Sequence, residues 1–259
     1  MNFSSKHVNF EINLVSIITP SHNSERFIED TIKSVQNQSF TNWELLITDD
    51  CSSDKTAEII KTYAKNDSRI KIFLQDENLG AASTRNVSLN NAKGQYVAFL
   101  DSDDVWSKNK LERQLDFMKK KGYAFTFSAY DLMNEKGLKI NKVIPVPQTI
   151  SYNQYLKNTI IGCLTVIIDR NKTGDFRMPI IRSSHDMALW LLIMRRGFFG
   201  YGLNEVLATY RLVSTSNTSK KYKAALDVWR VYTRIEHLSI FKACFYFLGY
   251  IFNALRKRL

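Results

Sequence analysis

Ala98-Phe99-Leu100-Asp101-Ser102-Asp103-Asp104-Val105-Trp106 is the stretch from which the fold of this chain is read. The residues from Tyr96 to Leu100 are aromatic and aliphatic, so they can fill a pleated interior without polar atoms and predict a buried strand. The strand stops in three carboxylates within four positions, Asp101, Asp103 and Asp104. Like charge at that density repels itself unless a cation sits within it, and the expected cation is Mg²⁺ or Mn²⁺. A lone acidic loop is also an ordinary solvated surface. Its place at a strand end favours the metal, because open α/β sheets bind ligands just beyond the carboxyl ends of their strands.

The residues before this stretch repeat the same grammar. Leu14 to Thr19 reads as a strand that Pro20 ends, with His22 and Asn23 in the turn. Phe27, Ile28, Ile32 and Val35 recur at helical spacing behind Ser24, a suitable cap. Trp43 to Thr48 is a second strand, and it too runs into acid, Asp49-Asp50-Cys51-Ser52-Ser53-Asp54. A helix carrying Ala57, Ile60 and Tyr63 follows, then a strand from Ile70 to Leu74. Asn78-Leu79-Gly80 breaks the chain before a helix holding Arg85 and Asn86, and Lys93-Gly94 turns into the Tyr96 strand. Strands separated by helices argue for a parallel sheet of βαβ units. Asp50 and Asp103 then face one crevice. Helix capping alone accounts for Asp54.

A chain of 259 residues with a net charge of +11 suits one large domain, or two small ones, with an anionic partner. Nucleic acid is the weaker choice, since zinc, helix-turn-helix and RNA-binding signatures are missing. Cys51, Cys163 and Cys244 are odd in number and lack metal spacing, which fits a reducing, cytoplasmic compartment. The polar residues from Met1 to Glu11 do not form a signal peptide.

Beyond Trp106 the pattern is mixed. A helix from Lys108 to Lys120, a strand from Ala124 to Tyr130, a hairpin turn at Asn134 to Gly137 and its partner strand from Lys139 to Ile144 are expected. Ser151 and Gln154 match a capping box, and Ile161 to Ile168 reads as a buried strand. Ser183-Ser184-His185-Asp186 opens an amphipathic helix, Met187 to Arg196, that contains Trp190. Leu238 to Leu255 is aromatic-rich, holds Lys242 and ends in Arg256-Lys257-Arg258. It is barely long enough to span a bilayer, so an interfacial helix on an anionic inner leaflet is expected. Packing onto the domain or onto a second subunit is the competing reading, and a homo-oligomer stays open.

Five motifs then fall in order: Pro20-Ser21-His22-Asn23, Asp49 to Asp54, Asn78-x-Gly80 with Arg85-Asn86, Lys93-Gly94-x-Tyr96, and Asp101-x-Asp103-Asp104. Together they resemble the nucleotide-sugar domain of inverting glycosyltransferase family 2, within it the bacterial enzymes of teichuronic acid, capsule and exopolysaccharide synthesis. The resemblance implies a GT-A fold, an α/β, mostly parallel sheet flanked by helices, over residues 14–219. Residues 14–106 form its nucleotide-sugar half and 107–219 its acceptor half, between an N-terminal extension (1–13) and a C-terminal helical tail (220–259). It implies a nucleoside-diphosphate donor, with UDP expected, held by Pro20, His22, Asn23, Asp50, Asn78, Gly80, Arg85, Asp101, Ser102 and Arg211. Arg211 belongs to a Tyr210-Arg211…Ser214-x-Ser216-Asn217 loop expected to close on the diphosphate. His22 replaces a common tyrosine, and Val213 stands where many relatives have a metal-binding histidine. Asp103, with Asp101 a further candidate, would hold the Mn²⁺ or Mg²⁺, and Asp186 would be the catalytic base. His185 and Trp190 would line the acceptor side, where a lipid-linked glycan is expected at the inner face of the plasma membrane. A nucleotidyltransferase would also need acidic metal ligands, but it usually carries a glycine- and basic-rich loop after its first strand, where this chain has Pro20-Ser21-His22-Asn23. A non-catalytic membrane-bound scaffold leaves the ordered aspartates unexplained.

Overall fold

The computed structural model describes residues 9–213 and 221–256. Strand and helix alternate through the first hundred residues as expected: β1 (Glu11–Ser21), α1 (Ile28–Gln36), β2 (Trp43–Asp49), α2 (Thr56–Asn66), β3 (Ile70–Leu74), α3 (Ala81–Asn91) and β4 (Gly94–Phe99). The four strands are parallel in the order β3-β2-β1-β4. Gly94 lets β4 pass close to β1, since a Cβ there would meet the Leu14 carbonyl oxygen at 2.5 Å.

Two boundaries differ from expectation. Pro20 does not end β1, which runs on to pair Pro20 with Thr48 and Ser21 with Asp49. The Ile18 carbonyl accepts from Leu100 and the Ser21 carbonyl from Asp50, so alternate residues face opposite neighbours and Pro20 faces β4. Pairing with β4 stops at Ile18–Phe99, so the missing N–H costs no ladder bond. Nor does Ser24 cap α1. Its carbonyl accepts from Phe27 and Ile28 in a preceding turn, and its hydroxyl lies 2.8 Å from that of Ser102.

The second half comprises β5 (Val105–Trp106), α4 (Lys110–Lys121), β6 (Phe125–Asn134), β7 (Lys139–Ile144), β8 (Thr149–Ile150), α5 (Tyr152–Lys157), β9 (Ile167–Asp169), α6 (Arg170–Thr173), α7 (His185–Arg195) and β10 (Gly200–Leu212). The capping box at Ser151 is present. The long strand expected from Ile161 to Ile168 shrinks to β9. Thr165 directs both its N–H and its hydroxyl to the Gly162 carbonyl, and this 3₁₀ turn at Cys163–Thr165 replaces a ladder. β9 runs antiparallel between β4 and β6 and so joins the halves into one sheet, β3-β2-β1-β4-β9-β6-β10-β5.

Strand alternation sends neighbouring residues to opposite faces. Ile18, Leu46, Val97 and Phe99 pack under α3, α5 and α7, whereas Ile17, Leu45, Ala98 and Leu100 pack under α1, α2 and α4. Both faces are therefore buried, which is why these strands read as nearly continuous apolar runs.

The C-terminal residues are less separate than the expected division into domain and tail. α8 (Lys221–Arg230), a π-helical turn (Val231–Ile235) and α9 (Ile240–Arg256) follow β10. Val228, Val231, Tyr232 and Ala243 enter the α7-side core. The Tyr232 hydroxyl donates to the Leu156 carbonyl, and Trp229 meets Phe247 edge-on at 5.3 Å. The opposite face of α9 is bare, with Phe241 (85% exposed), Phe245, Leu248, Phe252 and Leu255 in one stripe. Among the described residues, no helix is long and apolar enough to cross a membrane.

Candidate active site

The carboxyl ends of β1, β2 and β4 form one edge, as the strand order requires, and the predicted residues gather there. Asp50 ends β2 with both carboxylate oxygens committed, accepting from the N–H groups of Leu79 (2.8 Å) and Gly80 (2.9 Å). It is buried. Its carboxylate therefore shapes the Asn78–Gly80 loop. Gly80 adopts φ +80°, a conformation that glycine reaches without a Cβ clash. The exposed His22 donates through Nδ1 to the Asp50 carbonyl at 2.8 Å. Its Nε2 lies 3.2 Å from the Asn23 side-chain amide nitrogen. Asn23 (φ +48°) in turn accepts from the Ser53 N–H at 2.9 Å. Asp54 lies one residue ahead of the α2 N-cap, Lys55, and accepts from the Thr56 N–H (3.0 Å).

At the end of β4, Asp101 pairs with Arg85, a buried residue of α3. The other arm of that guanidinium donates to His185 Nε2 at 2.6 Å. Arg85 thus ties the β4 carboxylates to the start of α7, 100 residues away. Burial opposes its charge, but Asp101 outweighs this and raises its pKa. Burial and the Arg85 charge push His185 down to about 4, so it is a neutral ring accepting at Nε2. Sequence reasoning placed Arg85 and His185 on separate donor and acceptor sides. Their contact carries no sequence signal, since it depends on how α3 and α7 pack.

Asp103 is half-buried, and burial followed by repulsion from Asp101 pushes it up to about 6. Asp104 is fully buried. One of its oxygens accepts from the Arg211 N–H (2.8 Å) and the other has no partner, with desolvation driving its pKa well up. Carboxylates so short of positive partners fit a divalent cation. Among the described residues, no group of three His, Cys, Asp or Glu side chains could hold one alone.

Arg211 does not present a free fork. It is buried, donating from Nε to the Asp103 carbonyl (2.7 Å) and pairing through Nη2 with Asp30 (2.9 Å). Its guanidinium also stacks 4.8 Å from the Phe27 ring. Arg211 thus braces the backbone behind Asp103. The companion Ser214 to Asn217 motif lies outside the described residues.

Asp186 lies in the first turn of α7, where the helix dipole favours a carboxylate. It opens into a cavity of about 250 Å³ bounded also by Tyr155 of α5, Ser183, Asp227 of α8 and Tyr250 of α9. The C-terminal helices therefore build a wall of this site, which the sequence reading missed. Trp190 does not line it. The ring is fully buried, 5.3 Å from Phe99 and 5.4 Å from Phe125, because a one-turn advance along α7 points inward to the sheet. Cys163 sits near Arg85 and Asp101, and desolvation pushes its thiol well up.

Residues 16–178 match the model of Glycosyl transferase family 2. TuaG of Bacillus subtilis strain 168, a glycosyltransferase assigned to teichuronic acid biosynthesis, is 52% identical over 95% of this chain and 98% of its own. WfgD of Escherichia coli, a UDP-Glc:α-D-GlcNAc-diphosphoundecaprenol β-1,3-glucosyltransferase, is 39% identical over 94% of each chain. The fold is similar to that of S. aureus TarS 1–349 solved in complex with UDP, at TM-score 0.67 and 20% identity over 92% of this chain and 70% of that one. Motifs, sheet order and relatives agree, and the chain belongs to glycosyl transferase family 2, a glycosyltransferase of GT-A fold.

Proposed function

We propose that this glycosyltransferase moves a sugar from a UDP-linked donor to a hydroxyl of a glycan carried on a lipid diphosphate, in the assembly of a bacterial surface polysaccharide. The chemistry named for WfgD and the pathway assigned to TuaG support this choice of donor, acceptor and process. The observation that carries the reading is the Asp101–Arg85–His185 bridge, which sets the β4 carboxylates beside a cavity holding Asp186.

Asp103, with Asp101 beside it, is the pair that would hold Mn²⁺ or Mg²⁺. That ion would offset charge on the leaving diphosphate. Asp186 takes the proton from the acceptor hydroxyl as its oxygen attacks the anomeric carbon opposite the leaving group. One displacement of this kind inverts the sugar and uses no covalent enzyme intermediate. Cys163, held as a neutral thiol, suits a path without a nucleophilic side chain. Arg85 fixes Asp101 and His185 in place. A lipid-borne acceptor puts the work at a membrane, at the inner face of the plasma membrane in this reading. The apolar stripe of α9 and the net charge of +11 suit docking on an anionic leaflet.

Calorimetry with UDP and Mn²⁺ tests the donor half. We expect Asp103→Asn to weaken metal-dependent UDP binding at least tenfold while the circular dichroism spectrum stays that of the wild type. Equal affinity in the two proteins would overturn the assignment.

A further inference from the structure

Beside the Asp186 cavity lies a second pocket, of about 210 Å³, that the donor chemistry leaves unused. The two share Ser183 and Asp227, so they adjoin. Arg182, Arg230 and Arg234 line the second pocket, and Ile181, Val231 and Ile235 give it an apolar floor. The lining thus holds three arginines and one carboxylate, Asp227. Asp227 is already engaged, accepting from the Ser183 hydroxyl and pairing with Arg230 at 2.9 Å. Arg182 and Arg234 make no ion pair among the described residues. The π-helical turn Val231–Ile235, a backbone irregularity that recurs at functional sites, starts just after Arg230 and contains Arg234.

We infer that this pocket is an anion seat for the acceptor, taking the diphosphate that links the acceptor glycan to its lipid. The inference rests on the lipid-diphosphate acceptor proposed above and names where that group sits. Guanidinium forks match phosphate oxygens in pairs, and their weaker hydration makes arginine the better partner next to apolar walls. A free inorganic anion would gain nothing from Ile181, Val231 and Ile235, whereas the first carbons of a polyprenyl chain would. The glycan attached to a diphosphate seated here reaches into the adjoining cavity, where Asp186 stands. Tyr250 closes that cavity from the inner side of α9, directly across the helix from the exposed Phe241–Leu255 stripe. The Asp186 cavity, which adjoins the seat, therefore lies within about one helix diameter, roughly 10 Å, of the face that would meet lipid.

The donor carries a diphosphate too, so the test is run on the full chain with UDP and Mn²⁺ at saturation. Farnesyl diphosphate is the titrant in calorimetry, and farnesol is the control. Wild type is expected to bind farnesyl diphosphate, with inorganic pyrophosphate competing and farnesol not. The Arg182→Gln/Arg234→Gln double variant, which leaves the Arg230–Asp227 pair intact, should bind it at least tenfold more weakly at unchanged UDP affinity. No binding by the wild type, equal binding by the variant, or equal competition by farnesol would overturn the inference. Bilayer headgroups offer the same phosphate chemistry, so flotation with phosphatidylglycerol vesicles is measured in parallel. The variant should float as wild type does. Lost flotation with farnesyl diphosphate binding retained would assign the arginines to the bilayer and overturn the seat. Failure of wild type to bind UDP would sink the donor reading instead, a result read from a separate titration.

Discussion

Arg85 shows how one side chain can hold a site together. It is buried and donates in two directions, to Asp101 and to His185, so both are fixed by a group that cannot lose its charge. Neighbouring Asp186 then depends on its place in the first turn of α7 rather than on a side-chain partner. Asp186→Asn keeps the shape and removes the carboxylate proposed as the base. We expect UDP affinity to stay within twofold of wild type while transfer falls by about 10²- to 10⁴-fold. Single-turnover measurements with a radiolabelled donor check this, and near-normal turnover would reduce Asp186 to a helix cap. Arg211 and Trp190 teach the opposite lesson. Each has the residue type expected of a ligand-binding group, yet one braces the Asp103 backbone and the other fills the core.

Two elements carry their own tests. On α4, Lys110 is fully buried over Trp106, 5.0 Å from the ring, bonding Gln114 (2.6 Å) and the Thr165 carbonyl (3.2 Å). Desolvation pushes it down to about 7. Below pH 7 folded and unfolded chains both carry the charge, and the folded state bears the whole cost of burying it. Between pH 7 and the ordinary lysine value of 10.5, only the unfolded chain keeps the proton, so stability rises with pH. Urea midpoints at pH 7 and pH 9 should show this rise in wild type and not in Lys110→Met. On α9, the two faces have different jobs. Tyr246, Phe247 and Tyr250 pack against the core, so removing the helix would strip the domain. Phe241→Glu/Phe252→Glu instead alters only the exposed stripe. That variant should lose flotation with anionic vesicles and keep UDP binding. Retained flotation would leave the stripe for a second copy of the chain, which light scattering would reveal.

At the scale of the whole molecule, one sheet underlies both the carboxylate edge and the Asp186 cavity. β9 enters between β4 and β6 antiparallel to each, so the two share a single base. The net charge of +11 adds a field around it. Each basic residue close to an anionic leaflet contributes about 1 kcal/mol, and salt screens that attraction over about 10 Å at 0.1 M. Raising salt from 50 mM to 500 mM should therefore weaken flotation of the wild type severalfold while UDP affinity changes much less. Salt-resistant flotation would assign the binding to the apolar stripe alone.

What the sequence by itself determined is the local part of this protein. Apolar runs stopped by Asp49 to Asp54 and by Asp101 to Asp104 fixed the parallel strands and the edge where the carboxylates gather, because strand burial and charge repulsion act over a few residues. The capping box at Ser151 and the hairpin at Asn134 to Gly137 were legible for the same reason. The tertiary structure alone decided the partners. Asp50 spends its carboxylate on the Leu79 and Gly80 amides, Arg85 finds His185, and Tyr250 closes the Asp186 cavity. These contacts join residues 29 to 100 positions apart or bring the C-terminal helix onto the catalytic half. Such meetings are set by how helices pack on the sheet, a property of the summed core that no short stretch of sequence encodes.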